Sequence, residues 1–398
     1  MNSISFITPS RNNLKYLKWS YNSIRKNLGY RHELCWADDA STDGTWEWMV
    51  ETAEKDQNIK LYRNEGPERL GHTILYDTLV NECATNDIVM IYHADMYACP
   101  KLDIEIMKHI DKGVVVSLTR IEPPLHPPGP EKILVDYGIE PEEFDEFKFL
   151  REIESLKEDR TTEGIFAPWA IYKEDFQSIN GHDPLYAPQS KEDSDIFNRF
   201  VLNDYKLVQT WKGFVYHMSC RGSRFKDGAK RNPDGQVFMK GRESSEWLEQ
   251  NIRSTRNFIR KWGHMVKHDE LMKPIIPPKY DVGFRVYNCD ENLLRELEPW
   301  CSTLYTDLEW TIYHNYIEFE QPNTLYDLRS KLKGILDPVN DVIVEFDAKK
   351  LTQGNFQFIV NLSEILADSG ETGKMEYEIF KVDIKKLKNY NKELILAK

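Results

Sequence analysis

The chain has 398 residues, 40% of them hydrophobic and 12% aromatic, and a formal net charge of −13 at pH 7. This length predicts two or more domains, and the composition excludes a disordered chain. No window approaches twenty apolar residues, and the first residues do not resemble a signal peptide, so we expect a cytoplasmic protein without stable membrane insertion. The six cysteines lack C-x-x-C spacing, which indicates reduced thiols rather than a zinc site or a disulfide framework.

Short apolar strands alternate with helical patterns over the first hundred residues. In chain order we predict a strand at Ile4–Thr8, a helix with Leu14, Leu17, Tyr21, Ile24 and Leu28 on one face, a strand at Glu33–Ala37, a helix at Trp46–Lys55, a strand at Ile59–Tyr62, a helix around Thr73–Cys83 and a strand at Ile88–Tyr92. Strands that alternate with helices predict a mainly parallel sheet with helices on both faces.

Polar residues follow three of these strands directly. PSRN (9–12) follows the first strand, DDASTDGT (38–45) follows the second, and His93-Ala94-Asp95 follows the fourth. In open α/β sheets, ligands bind at the carboxyl ends of the strands. Because alternate residues of a strand share a face, His93 and Asp95 point the same way and are placed to share a divalent cation.

The next part of the chain adds a second group of polar residues. GIFAPWAIYKEDFQSINGHDPLY (164–186) precedes a helix that opens with Glu192, Asp193 and Asp195, and a strand at Val208–His217 ends in a histidine. Acidic residues at a helix N-terminus also offset the helix dipole, so their spacing alone leaves a structural role open.

Together these motifs resemble the GT-A nucleotide-sugar glycosyltransferases of family 2, over about residues 3–217. The resemblance implies an α/β, Rossmann-like GT-A domain that transfers a sugar from a nucleotide-sugar donor, with a leaning to UDP-sugars, to an acceptor hydroxyl. It also implies that Asp39 recognises the base and that Pro9 and Arg11 flank the nucleoside.

The resemblance further implies a Mn²⁺ or Mg²⁺ site and a catalytic base. The last carboxylate of the family's D-x-D motif corresponds to Asp95, whereas His93 replaces the first Asp, and a late histidine, His217, completes the metal shell. Imidazole suits Mn²⁺ better than Mg²⁺. The family's general base, the Asp of an E-D pair, corresponds to Asp193, with Glu192 and Asp195 as alternatives.

A basic segment, 218–267, follows the last motif. It holds twelve Lys/Arg and five Asp/Glu, a balance of +7, whereas the rest of the chain carries −20. We expect Arg221, Arg224 and Lys226 to neutralise the leaving diphosphate in an inverting reaction. The helix at Ser244–Trp262 is expected to be an ordinary solvated helix.

Two proline-rich stretches suggest a loop and a boundary. EPPLHPPGPEK (122–132) predicts an irregular loop, a candidate lid, before an acidic helix at Glu142–Asp159. KPIIPPK (273–279) predicts a linker between a transferase domain, 1–272, and a small α/β accessory domain, 280–398. The predicted elements of the latter are strands at Val282–Tyr287, Trp310–Phe319, Val342–Phe346 and Met375–Val382, and helices at Leu293–Leu304, Leu325–Leu336 and Phe356–Leu366.

The acceptor stays open between two classes. Family 2 enzymes mostly build glycans, which favours a glycan or another non-nucleic acceptor. The HAD and H-x-x-x-R-G-S-R segments also resemble transferases of large bacteriophages, some of which glycosylate hydroxymethylated pyrimidines in DNA. The basic segment would suit phosphate contacts with such DNA, and a phage protein would work in the host cytoplasm. The oligomeric state is open.

Two other functional classes compete with a transferase. A nucleotidyltransferase would carry a glycine-rich loop after its first strand, and PSRNNLKYL (9–17) has no glycine. A catalytically inactive nucleotide-sugar-binding protein remains an alternative because His93 replaces an Asp.

Overall fold

A computed structural model describes residues 3–219, 229–239 and 243–397. The chain divides into two units: the first comprises Met1–Gln250, His268–Pro274 and Ala397–Lys398, and the second comprises Asn251–Lys267 and Ile275–Leu396. The chain passes between the units at Gln250/Asn251, at Lys267/His268 and, within the expected linker 273–279, at Pro274/Ile275. None of the described helices is long and apolar enough to cross a membrane.

The first unit contains helices and strands in the alternating order expected for an α/β sheet. In chain order they are β1 (Ile4–Ser10), α1 (Leu14–Leu28), β2 (Glu33–Asp39), α2 (Thr45–Lys55), β3 (Ile59–Asn64), α3 (Gly71–Thr78), β4 (Ile88–Ile91), β5 (Met96–Ala98), α4 (Leu102–His109), β6 (Val114–Glu122), β7 (Lys132–Leu134), α5 (Glu146–Glu152), β8 (Thr161–Thr162), β9 (Trp169–Tyr172), α6 (Lys173–Ser178), α7 (Glu192–Leu202), β10 (Lys206–His217), β11 (Ala229–Arg231), β12 (Val237–Met239) and α8 (Ser245–Trp262), whose C-terminal part belongs to the second unit.

Ten of these strands form one mixed sheet. Its main path is β3-β2-β1-β4-β9-β6-β10-β5, with β7 on β6 and β8 on β10. The first four strands run parallel, and β9 enters antiparallel between β4 and β6. All seven residues of β1 and of β2 are buried, as parallel strands covered on both faces should be. The carboxyl ends of β1, β2 and β4 consequently meet at one edge.

The second unit is a smaller α/β fold. Its elements are the end of α8, β13 (Val282–Tyr287), α9 (Glu291–Leu297), β14 (Thr303–Thr306), α10 (Trp310–Glu320), α11 (Leu328–Lys331), β15 (Leu332–Gly334), β16 (Val342–Asp347), α12 (Phe356–Val360), α13 (Leu362–Ser369), β17 (Gly373–Tyr377) and β18 (Phe380–Ile384). The sheet order is β15-β14-β13-β16-β18-β17, parallel from β15 to β16 and antiparallel beyond. Its core is apolar and continuous, so the expected α/β class holds.

Several predicted elements of this unit were wrong. The predicted strand Trp310–Phe319 is helix α10, which buries Tyr313, Tyr316, Ile317 and Glu320. This three- and four-residue spacing is helical, although aromatic and β-branched residues favour strands. Similarly, the predicted helix Leu293–Leu304 ends early and is followed by β14, and Leu325–Leu336 holds a four-residue helix and β15.

Two further segments differ in extent. The predicted acidic helix Glu142–Asp159 is helical only over α5, followed by a 3₁₀ turn at Ile153–Leu156. The predicted strand Met375–Val382 is the hairpin of β17 and β18. Glu122, predicted as the start of an irregular loop, is instead the last residue of β6 and is 1% exposed, which matters for the site described next.

Candidate active site and metal centre

Three side chains that the sequence analysis assigned to a metal are adjacent in the structure. His93 and Asp95 follow β4, and His217 ends β10; each offers one ligand atom within 4.8 Å of the other two. His217 Nε2 lies 3.5 Å from Asp95 Oδ1, and the Met218 backbone N–H donates to the Asp95 carbonyl at 3.0 Å. Two imidazoles and one carboxylate fit a transition-metal ion such as Mn²⁺ better than Mg²⁺.

A charged pair lies behind this trio. β6 and β10 run parallel, with Arg120 opposite Val215 and Ile121 opposite Tyr216, so the register continues to bring Glu122 beside His217. His217 Nδ1 lies 2.9 Å from Glu122 Oε1, and Arg120 Nη1 lies 2.9 Å from the same oxygen. Sequence reasoning missed this carboxylate because the proline-rich pattern placed it in a loop.

The protonation states of the two histidines differ for physical reasons. Burial and the neighbouring His217 lower the pKa of His93 to about 3, so His93 is neutral, the form that binds metals. Burial opposes charge on His217, but the Asp95 and Glu122 carboxylates raise its pKa to about 9. The same negative charges that attract this proton would attract a metal ion in its place.

The end of β2 is tied to the loop that precedes α3. Asp39 Oδ1 accepts hydrogen bonds from Asn64 Nδ2 at 2.7 Å and from the Leu70 N–H at 3.0 Å, and Oδ2 accepts from the Gly71 N–H at 2.9 Å. A carboxylate has about four acceptor positions. Asp39 therefore holds this loop in place and retains little capacity for a nucleoside base.

The end of β1 lies beside the end of β2, as predicted. Pro9 pairs in register with Ala37 and is buried, whereas Arg11 is partly exposed. A cavity of about 410 Å³ begins just beyond this point, at the N-terminal end of α1. Its lining residues are Asn12, Asn13, Leu14, Lys15, Tyr16, Lys18 and Asp43.

Helix α3 contributes aromatic and imidazole side chains that the sequence analysis did not assign. The His72 and Tyr76 rings lie 5.8 Å apart, and the Tyr76 ring lies 5.5 Å from that of His182. Burial together with the charges of Asp193, Glu192 and Asp95 raises the pKa of Tyr76 well above its usual value. Tyr76 is thus within electrostatic reach of both the metal trio and the acidic end of α7. The charge of Asp95 acts on both His72 and Tyr76. The sequence could not show this, because only the fold brings α3 close to the end of β4.

The acidic residues at the start of α7 separate into two kinds. Asp195 is fully buried and pairs with Arg199, Oδ2 to Nε 2.7 Å, so its role is structural. Burial and the Asp193 charge raise the pKa of Glu192, and burial also raises the pKa of Asp193. Asp193 is partly exposed and therefore remains the candidate base.

Several buried polar atoms around this edge have no hydrogen-bond partner among the described residues. A buried polar atom without a partner destabilises a fold, so a ligand, an ion or a water molecule that supplies the missing bond would be stabilising there. In the first unit they include Ser10 Oγ, Asp38 Oδ1, Arg69 Nε, Thr73 Oγ1, Glu122 Oε2, Trp169 Nε1, His182 Nε2 and Glu192 Oε2.

The predicted phosphate-binding residues Arg221, Arg224 and Lys226 lie outside the described residues. Of the remaining basic segment, Arg231 pairs with Asp136, Nη2 to Oδ1 2.9 Å. Within the second unit, α8 is not a solvated basic helix as expected. Arg260 is 3% exposed, and its Nη2 lies 2.6 Å from Glu298 Oε2.

Parallel strands that end in carboxylates and imidazoles at one sheet edge define a Rossmann-like GT-A domain. Residues 5–168 match the model of glycosyl transferase family 2. The fold class and the resemblance expected from sequence are thereby confirmed. Among the curated proteins, none matches the chain significantly.

Several solved structures of glycosyltransferases match part of the chain at low sequence identity. GalNAc-T7 with UDP, GalNAc and Mn²⁺ matches at 12% identity and a TM-score of 0.46, over 66% of this chain and 49% of that one. Mannosyltransferase PcManGT from Pyrobaculum calidifontis, with GDP-Man and Mn²⁺, matches at 20% and 0.40, over 56% and 58%. S. aureus TarS 1-349 with UDP-GlcNAc matches at 19% and 0.38, over 55% and 61%. The chain thus spans about half to three fifths of these proteins.

Proposed function

We propose that the protein is a metal-dependent, inverting glycosyltransferase. It would move a sugar from a nucleotide-sugar donor, preferably a UDP-sugar, to a hydroxyl of a glycan or another non-nucleic acceptor. The observation that carries this proposal is the convergence of His93, Asp95 and His217 from two strand ends in a family 2 domain.

The residues at the sheet edge would have different roles, according to their positions. Pro9, Arg11 and Asp39 would surround the nucleoside, with Asp39 acting mainly through the loop that it holds. His93, Asp95 and His217 would hold Mn²⁺, or less favourably Mg²⁺, which neutralises the charge of the diphosphate when bound. Arg221, Arg224 and Lys226 remain candidates for the same task.

Asp193 would act as the general base. It would accept the proton of the acceptor hydroxyl as the hydroxyl oxygen attacks the anomeric carbon and the nucleoside diphosphate departs from the opposite face. Burial and the negative charge of Asp193 raise the pKa of Glu192, which favours the protonated form of Glu192 and leaves the base role to its neighbour.

Nucleoside diphosphate release from a panel of nucleotide sugars with Mn²⁺ tests the proposal. We expect release that is lost in Asp95→Ala and kept in Asp87→Ala, whose exposed carboxylate precedes the opposite end of β4. Glycan acceptors should accelerate release, and hydroxymethylated DNA should not.

Two results would replace the proposal. Release that depends on Asp95 and rises with hydroxymethylated DNA would establish a DNA glycosyltransferase. No Asp95-dependent release from any donor would favour a catalytically inactive nucleotide-sugar-binding protein.

A further inference from the structure

The carboxylate behind the metal trio is placed to control one of its ligands. Asp95 lies near Nε2 of His217, and Glu122 lies near Nδ1, at the other edge of the ring. A metal ion shared with His93 and Asp95 therefore belongs at Nε2. Glu122 is on the wrong side of the imidazole to be a ligand itself, so its contact with the metal trio is through His217.

The hydrogen bonds at Glu122 fix which ring nitrogen carries the proton. The Arg120 guanidinium can only donate, and it approaches the same Oε1 atom as His217 Nδ1. An oxygen between two such nitrogens is an acceptor for both, which places a hydrogen on Nδ1 and makes Nε2 the nitrogen at which a metal ion can take the place of a proton. Arg120 is itself held against the Phe166 ring, with its Cζ 3.9 Å from the ring centroid.

Glu122 and Arg120 are both buried, and the way their hydrogen bonds are arranged indicates a role in orienting His217. Glu122 is 1% exposed and Arg120 is 7% exposed. Glu122 Oε2 has no hydrogen-bond partner among the described residues, and Lys132 Nζ lies 3.8 Å from it. An ion pair with a purely structural role would be most stable if both carboxylate oxygens of Glu122 accepted hydrogen bonds. Here Arg120 Nη1 and His217 Nδ1 both contact Oε1.

We propose that Glu122, braced by Arg120, is a positioning residue of the metal centre that holds His217 in its metal-binding tautomer and orientation. Metal-ligating histidines commonly donate their second N–H to a carboxylate, and loss of that partner weakens metal binding about 10–100-fold. The inference rests on the proposed metal-dependent function, yet it can be tested without any sugar donor or acceptor.

The test is a Mn²⁺ titration of the full chain, followed by electron paramagnetic resonance of the free ion. We expect Glu122→Ala to weaken Mn²⁺ binding at least ~10-fold. Glu122→Gln keeps an oxygen that can accept from both donors and should stay within ~3-fold of the wild type. Glu131→Ala is the matched control, because Glu131 is another poorly exposed carboxylate beside Lys132 that does not contact His217.

The outcomes separate this inference from the proposed function. Wild-type affinity in Glu122→Ala would overturn the positioning role, as would equal losses in Glu122→Gln and Glu122→Ala, which would indicate a charge effect instead. If the wild type itself binds no Mn²⁺, the metal site of the proposed function fails and this inference fails with it. Circular dichroism of each variant verifies folding, and the Gln variant keeps the test decisive should the Ala variant unfold.

Discussion

At the scale of single residues, the same acidic side chain can serve structure or chemistry, and its neighbours decide which. Asp39 and Asp195 were both candidates for functional roles. Asp39 accepts three hydrogen bonds from the loop before α3, and Asp195 is paired with a buried arginine. Asp193 differs from both because it is partly exposed, which is what a base that meets a substrate requires.

The role of Asp193 leads to a prediction about catalysis. Asp193→Asn should still bind the donor but transfer the sugar at least ~100-fold more slowly, because an amide cannot take the acceptor proton. Glu192→Gln should lose less than ~3-fold at pH 7, since burial and the Asp193 charge raise the pKa of Glu192 and favour its protonated form. Single-turnover transfer and donor titration would measure the two effects.

A large loss of transfer in Glu192→Gln together with a small loss in Asp193→Asn would assign the base role to Glu192 instead. A product that retains the anomeric configuration of the donor, detected by nuclear magnetic resonance, would argue against direct displacement and hence against a single base at Asp193.

At the scale of secondary-structure elements, buried charges hold α8 against the second unit's own helices. Arg260 and Lys331 both contact Glu298, with Nζ of Lys331 2.7 Å from Oε1, and the Tyr316 hydroxyl donates to Oε2 at 2.9 Å. Burial alone would raise the pKa of Glu298, but Lys331 and Arg260 lower it well below its usual value. Arg260, one of the cations of the basic segment, is thus paired inside the second unit.

Glu298→Gln should therefore destabilise the protein at pH 7, by about 3–5 kcal/mol for a broken buried pair. A carboxyl whose pKa is lowered by folding contributes stability above its unfolded pKa of about 4.3 and loses it as the pH falls below that value. The difference between variant and wild type should shrink accordingly in calorimetric unfolding from pH 7 to pH 3.5.

An exposed acidic residue of the same unit provides the control. Glu318, 65% exposed beside His314, should change stability by less than about 1 kcal/mol when replaced by Gln. A difference at Glu298 that stays constant with pH would contradict the assignment of an ionised, paired carboxylate.

At the scale of the whole molecule, charge bears on the choice of acceptor. The chain carries −13, and Arg231, Arg256, Arg260 and Lys267 of its basic segment are all in ion pairs. DNA binding draws most of its affinity from cations that are free to meet phosphates. The described part of the basic segment offers few cations that are free to contact phosphates.

We therefore expect no stable complex with hydroxymethylated duplex DNA at ~0.15 M salt in a mobility-shift titration. A complex whose affinity falls steeply between ~50 and ~200 mM salt would contradict this expectation and assign the phosphate contacts to residues 220–228 and 240–242.

The sequence by itself determined the α/β class and the GT-A domain, and it singled out His93, Asp95 and His217, which the fold brings together. Buried parallel strands read as apolar runs, and polar residues at their carboxyl ends must share an edge. Helix α10 was mistaken for a strand because propensity is local, whereas its buried face depends on what packs against it.

Only the tertiary structure showed that Glu122 faces His217, that Asp39 holds the loop before α3 and that Arg260 forms a buried ion pair with Glu298. Each of these pairs joins residues from 25 to 95 positions apart. Strand register and burial create such contacts, and no spacing along the chain encodes them.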